Sequence, residues 1–270
     1  MTTQIVNKSD KKLWLAAIKP PMYSVAIMPI WVGTAIAFWE KNRIDWSIFL
    51  TFITSAILIL AWENISNDVF DSETGIDKNK HHSLVNLTGN KDLMFWLGNL
   101  CLFLGILGIL IISWWLQDLT VIGLIFLCCF LGYIYQGPPF RLGYQGLGEI
   151  ICFFAFGPLA ISAAYYSQTK TWSITSLTAS IIIGITTTII LFCSHFHQVR
   201  DDLAAGKRSP IVRMGTKAGS QVLNWSCGIV FVLISICVGL GFFPVWTLLS
   251  LSLIHISETT RPVTISYDVF

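Results

Sequence analysis

The sequence predicts an all-α protein, a polytopic transmembrane helical bundle, and three observations predict it. Hydrophobic residues make up 54% and charged residues 12%, against roughly a quarter charged in soluble domains, and the mean hydropathy is +0.68. Seven apolar runs follow one another along the 270 residues, each close to the roughly 20 residues that a helix needs to cross a bilayer. When the runs are alternated across a membrane, thirteen Lys and Arg fall on one side and three on the other. By the positive-inside rule the crowded side is cytoplasmic. The formal net charge of +2 argues for nothing by itself. The expected surroundings are a lipid bilayer, with no nucleic-acid partner.

Residues 1–19 form a short amphipathic approach in which Lys8, Lys11, Lys12 and Lys19 flank Leu13-Trp14-Leu15. No signal or transit peptide is evident in it. Spans are expected at 22–39 and 46–62, followed by an acidic stretch and a polar loop over 71–92. Two runs, 93–116 and 119–135, are split only by Gln117-Asp118. A turn rich in Gly and Pro occupies 136–149. The fifth run is 150–166 and the sixth 174–193; a second polar loop, 195–220, precedes the seventh at 222–243. The seven cysteines lie in apolar runs without metal-ligand spacing and read as small apolar side chains, not a disulfide framework. The tryptophans mostly fall near span ends, where interfacial aromatics belong. Residues 1–251 read as one transmembrane domain. Residues 252–270 lose hydropathy and helical character and read as a non-native tail, like a translated sequencing adapter, so a longer natural chain is expected.

Chemistry is concentrated where the second span ends. Asn64, Asn67, Asp68 and Asp71 recur at three- and four-residue intervals, so on a continuing helix they share one face. Oxygen ligands with little thiol or imidazole among them suit a hard cation such as Mg2+, which keeps room for water and phosphates. The reading is a diphosphate-handling site at a membrane surface. A solvated acidic loop is the plainer alternative.

The sixth span ends in a similar way. Matching Asp202 with Asp71 lays Gly206 on Gly75, Gln198 on Asn67 and His195 on Asn64. Two such helices facing each other bring Asp68 and Asp71 opposite Asp201 and Asp202. Four carboxylates near a membrane repel one another, so cations are expected between them. Lys207 and Arg208, with Arg141 and Lys19, are candidates for the diphosphate oxygens. His195 and His197 read as interfacial residues before ligands, and His81-His82 as a polar loop pair with a functional role left open. Tyr133 and Tyr135 are either interfacial aromatics or the lining of a channel whose ring faces stabilise a carbocation.

These residues resemble the UbiA-type intramembrane prenyltransferases. Asn67-Asp68-x-x-Asp71 is similar to the family's first aspartate-rich motif, and Arg200-Asp201-Asp202 with Gly206-Lys207 to its second. Lys19-Pro20-Pro21-Met22-Tyr23-Ser24, the segment from Gly137 to Glu149, and that from His195 to Arg213 resemble the naphthoate branch in its cyanobacterial and plant form. The resemblance covers residues 19–215. The family has nine transmembrane helices, and seven are visible here. Its second motif often reads Asp-x-x-x-Asp, whereas His197 stands four before Asp201, and Arg200 stands where an acidic residue is expected.

The resemblance implies Mg2+ on Asn67, Asp68, Asp71, Asp201 and Asp202, binding the diphosphate of phytyl diphosphate or a related prenyl donor. Asp68, Asp71, Asp201 and Asp202 are then the catalytic carboxylates. Lys19, Arg141, Tyr133, Tyr135, Lys207 and Arg208 bind substrate, with Arg141 or Lys19 on the acceptor's carboxylate. Ionisation of the allylic C–O bond gives a carbocation, attacked by the carboxylate-bearing carbon of 1,4-dihydroxy-2-naphthoate with loss of CO2. The reaction belongs to phylloquinone or menaquinone synthesis, in a cell inner membrane or thylakoid. Homogentisate, 4-hydroxybenzoate or a chlorophyll precursor are the alternative acceptors. A cation-coupled transporter also carries a pseudo-repeat and intramembrane carboxylates, but places them near the midplane; here they cluster at one surface.

Overall fold

The computed structural model describes residues 8–76 and 83–251, and all regular structure within them is helical. The side chains of Lys8 and Lys11, the segment with Lys78, Lys80, His81 and His82, and the tail 252–270 lie outside the description. Helix α1 (Lys8–Ile18) and a 3-10 turn (Pro20–Met22) lead into α2 (Tyr23–Lys41). Then come α3 (Trp46–Thr74), the short α4 (Leu84–Thr88), α5 (Lys91–Leu116) and α6 (Thr120–Gln136). Helix α7 (Gly148–Phe154) passes through a π-helical turn (Ala155–Leu159) into α8 (Ala160–Thr169). Helix α9 (Ile174–Ala204), α10 (Pro210–Gly239) and a 3-10 turn (Val245–Leu251) complete the described chain.

Six helical stretches are long and apolar enough to cross a membrane. The seventh expected span is α6, equally apolar but only 17 residues long. Local chemistry sets the ends. Asp45 caps α3 by accepting from the Ser47 and Ile48 amides at 3.0 and 3.1 Å. Asn90 does the same for α5 through the Leu93 amide at 2.9 Å. Such caps satisfy amides that have no partner inside the helix.

Three boundaries differ from the sequence expectation. Helices α3 and α9 continue past their apolar segments by about three turns, carrying both acidic stretches on helix. Helix α10 starts at Pro210, inside the segment read as a polar loop. Proline at the first helical position is pre-shaped for a helix start, and the polar composition of this first part hid it from a hydropathy reading. Gly215, at φ 79, breaks the helix there.

Small residues let the helices approach closely. A Cβ on Gly105 of α5 would lie 2.7 Å from Ile59 Cγ1 and 3.1 Å from the Ser55 carbonyl of α3. A Cβ on Gly157 would lie 2.5 Å from the Ser180 carbonyl of α9. In lipid, where apolar burial gives helices little reason to associate, such backbone proximity supplies the packing. The main core joins α2, α3, α5, α6 and α8 through Ile30, Phe52, Ile109, Ile112, Ile125 and Ala163. A smaller cluster of Ala17, Ile65, Val69, Leu84 and Met94 sits under the acidic end of α3. Trp96, Phe103, Trp114 and Trp225 face outward, the surface a bilayer would cover.

Contacts sort the two ends of the bundle as the charge count does. At one end Tyr165 and Ser173 donate to Glu40 at 2.5 and 2.6 Å, and Tyr166 to Asp118 at 2.8 Å. At the other end the loops after α1, α6 and α9 gather around the acidic helix ends.

Candidate active site

A cavity of about 470 Å³ opens among α2, α3, α6, α7, α8 and α9. Its inner wall is apolar, with Ile30, Phe52, Ile125, Ile151, Phe156 and Ile190. Its polar end is lined by Lys19, Asn64, Asn67, Asp71, His195, Gln198, Asp201, Asp202 and Lys207. The cavity therefore holds residues of both acidic stretches, and three of the four matched pairs of the pseudo-repeat, all but the glycines, stand on its wall. The glycines match in another way. Gly75 and Gly206 both take positive φ, 75 and 71, four residues after Asp71 and Asp202. Each lets the chain turn away where its helix stops.

Lys19 sits at φ 51 between α1 and the Pro20-Pro21 turn. Its ammonium donates to Asn64 Oδ1 at 2.8 Å and lies 3.6 Å from Asp68 Oδ1. Asp68 is fully buried, accepts from the Leu84 amide at 2.7 Å and does not line the cavity. Asp71 does, accepting from the Tyr144 hydroxyl at 2.7 Å. Asn67 donates to Gln136 Oε1 at 2.5 Å, and Gln136 Nε2 in turn donates to the Glu63 carbonyl at 2.9 Å. The cross-links fix the cavity-facing side of α3 against the end of α6.

On the second helix Asp201 is exposed and Asp202 is wholly buried beneath it. Lys207 Nζ stands 3.5 Å from Asp202 Oδ1, and His195 Nδ1 3.6 Å from Oδ2. At those lengths neither Asp202 oxygen is hydrogen-bonded. The other nitrogen of His195 faces Glu149 at 3.2 Å. The Lys207 ammonium also stands 5.7 Å from the centre of the Tyr144 ring, an arrangement that favours the cation. Burial, and then the neighbouring Asp71 charge, raise the Tyr144 phenol above its ordinary range, so it remains a donor.

The other expected substrate residues divide. Tyr135 lines the cavity. Tyr133 does not; its hydroxyl donates to the Pro138 carbonyl at 2.7 Å, and its ring meets Phe70 edge-on. Arg141 pairs with Glu73 at 3.0 Å, outside the cavity wall. Arg208 contributes its amide to the Tyr144 carbonyl at 2.8 Å, and Arg213 binds the Arg208 and Gln145 carbonyls, tying the two loops together. His197 is exposed and off the cavity wall. Sequence reasoning assigned no role to Tyr144, Gln136, Glu149 or Glu63. Tyr144 carried the one available signal, a hydroxyl in an otherwise Gly- and Pro-rich turn between two acidic stretches.

The ligand atoms facing the cavity are mostly amide and carboxylate oxygens, the ligand chemistry of a hard cation, and both Asp202 oxygens lack a hydrogen-bond partner. Among the described residues no three His, Cys, Asp or Glu side chains form a metal-holding group by themselves.

Comparison with known proteins agrees with this arrangement. Residues 26–261 match the model of the UbiA prenyltransferase family. Over 218 residues the chain is 62% identical to 2-carboxy-1,4-naphthoquinone phytyltransferase of Synechocystis sp., covering 81% of this chain and 71% of that protein. It is 44% identical over 228 residues to the chloroplastic 2-carboxy-1,4-naphthoquinone phytyltransferase of Arabidopsis thaliana, covering 82% of this chain but only 59% of that one. The solved structure of a UbiA homolog from Archaeoglobus fulgidus bound to GPP and Mg2+ shares the fold, with a TM-score of 0.66 at 16% identity over 90% of this chain and 85% of that one. The chain belongs to the UbiA prenyltransferase family.

Proposed function

We propose that this chain transfers a phytyl or related prenyl group from its diphosphate to 1,4-dihydroxy-2-naphthoate, releasing CO2 and diphosphate, in quinone biosynthesis. The observation that carries the reading is that one cavity holds carboxylates of both acidic stretches and two lysines at one end, with largely apolar walls running into the bundle from there. A prenyl diphosphate has the same polarity, an anionic head on an apolar tail that partitions into lipid. The naphthoate acceptor and the phytyl donor are supported by the identities to the two phytyltransferases.

Asn67, Asp71, Asp201 and Asp202 would hold Mg2+, which neutralises charge on the departing diphosphate. Lys19 and Lys207 stand on the same wall to bind its non-bridging oxygens. Asp68 acts from beneath, holding Lys19 and the start of α4. Tyr144 holds Asp71 in place. The apolar wall excludes water from the allylic cation, and Tyr135 offers it a ring face. The charge count supports a cytoplasmic mouth, in a cell inner membrane or a thylakoid.

The test is an acceptor panel: membranes carrying the full chain, phytyl diphosphate and Mg2+, with 1,4-dihydroxy-2-naphthoate, homogentisate or 4-hydroxybenzoate. Prenylation of the naphthoate alone is expected. Prenylation of either other ring instead would overturn the acceptor and leave the family standing.

A further inference from the structure

One acidic residue in the cavity is absorbed by none of these roles. Glu63 stands one turn before Asn67 and two before Asp71, so the three share a face of α3, and all three line the cavity. At 1.5 Å per residue, Glu63 lies about 6 Å deeper into the bundle than Asn67. The wall around it is mostly apolar or thiol, with Ile125, Cys128, Cys129 and Cys152, joined by the phenol of Tyr135. The cationic side chains on the wall, Lys19 and Lys207, belong to the polar end. Opposite it α6 presents Gly132, where a Cβ would meet the Glu63 carboxyl carbon at 3.6 Å. The cross-link from Gln136 takes the Glu63 backbone carbonyl and leaves the side chain. Among the described residues, no hydrogen bond or ion pair engages its carboxylate.

An ionisable group at this depth is costly, and such groups mark function more often than architecture. A neutral alkyl chain gives a carboxylate no hydrogen to accept. A hydroxylated ring does. The acceptor carbon must come within about 3.5 Å of the allylic carbon, itself next to the diphosphate oxygen. With the diphosphate at Asn67 and Asp71, the ring therefore lies one layer deeper, at Glu63.

We propose that Glu63 is the proton acceptor of the ring-binding half of the cavity, engaging the hydroxyl beside the carboxylated carbon of the naphthoate. This rests on the acceptor reading above. As that carbon bonds to the allylic carbon, the C–O electron pair leaves with diphosphate and the hydroxyl proton passes to Glu63. The product of this step is a β-keto carboxylate. Its C–CO2 bond breaks, the electron pair moves into the ring as an enolate, and Glu63 returns the proton to the oxygen. No proton or electron is gained or lost overall, and the ring leaves as the hydroquinone.

The experiment compares Glu63→Gln, Glu63→Asp and the unchanged chain in membranes, with the natural naphthoate and with its ether methylated at that hydroxyl. Glu63→Gln keeps the shape and loses the basicity. A fall in kcat of about 100-fold is expected, the usual range for a general base, with partial recovery in Glu63→Asp. The KM for phytyl diphosphate should stay within twofold, which also shows that the variants fold. The methyl ether should slow the unchanged chain and leave Glu63→Gln no slower than before. A Glu63→Gln variant with kcat within twofold of the parent would overturn the proposal, as would equal damage to both substrates' KM. An unchanged chain that prenylates no naphthoate would instead overturn the acceptor reading, and the Glu63 role with it.

Discussion

The Tyr144 hydroxyl donates to Asp71 across 2.7 Å, joining the loop after α6 to the acidic end of α3. The same hydroxyl lies 2.8 Å from Thr74 Oγ1, and the ring carries the Lys207 ammonium on its face. One aromatic side chain thus touches both halves of the pseudo-repeat. A hydrogen bond to a charged group contributes about 1.5–3 kcal/mol, so Tyr144→Phe should lower kcat/KM for the prenyl diphosphate by about tenfold or more and lower the thermal midpoint by a few degrees. Steady-state kinetics with the donor varied checks this; an unchanged kcat/KM would show that Asp71 does not need the loop.

Asp201 and Asp202 should separate by stability. Asp201 is exposed, so Asp201→Asn should remove turnover and leave the melting of the solubilised protein unchanged. Asp202 is wholly buried beside Lys207 and His195. Removing one charge of such a group costs about 3 kcal/mol or more, so Asp202→Asn should lose activity and melt several degrees lower. Equal melting of the two variants would contradict the burial argument.

Lys19 and Arg141 were both candidates for an acceptor or diphosphate contact, and the geometry divides them. Arg141 is paired with Glu73 near the surface, a pair of the kind that contributes under about 1 kcal/mol. Arg141→Ala should change either KM by less than threefold. Lys19 lines the cavity and meets Asn64 and Asp68. Lys19→Met should raise the KM for the prenyl diphosphate at least tenfold. The two KM values, measured side by side, decide between them.

The α3–α5 contact makes a prediction far from the chemistry. Gly105 admits no Cβ without moving Ile59 or the Ser55 backbone. Gly105→Leu should cost about 2 kcal/mol through overpacking, seen as a lowered midpoint in detergent. Gly123, with open space at its Cβ, is the control, and Gly123→Ala should be neutral or nearly so.

Much of this was legible before any coordinates. Spans announce themselves because lipid demands long apolar stretches, and the basic loops fix which ends share a side. The interval between Asn67 and Asp71 is visible because helical spacing decides what shares a face. What a single helix cannot encode is which neighbour covers each side of it. Asp68 and Asp71 look equivalent along the chain, yet Asp68 turns toward α4 and Asp71 toward the cavity. Tyr144 and Gln136 take their roles from segments that meet only in the folded bundle. Glu63 was passed over because it stood as the boundary of an apolar run, where a charge reads as the start of the polar region.

The most direct measurement uses membranes carrying the full chain, phytyl diphosphate, Mg2+ and 1,4-dihydroxy-2-naphthoate labelled in its carboxyl carbon. One labelled CO2 released for each prenylated naphthoquinol formed, both abolished by EDTA and restored by Mg2+, is the predicted result. Prenylated product that keeps its label, or turnover untouched by the chelator, would contradict it.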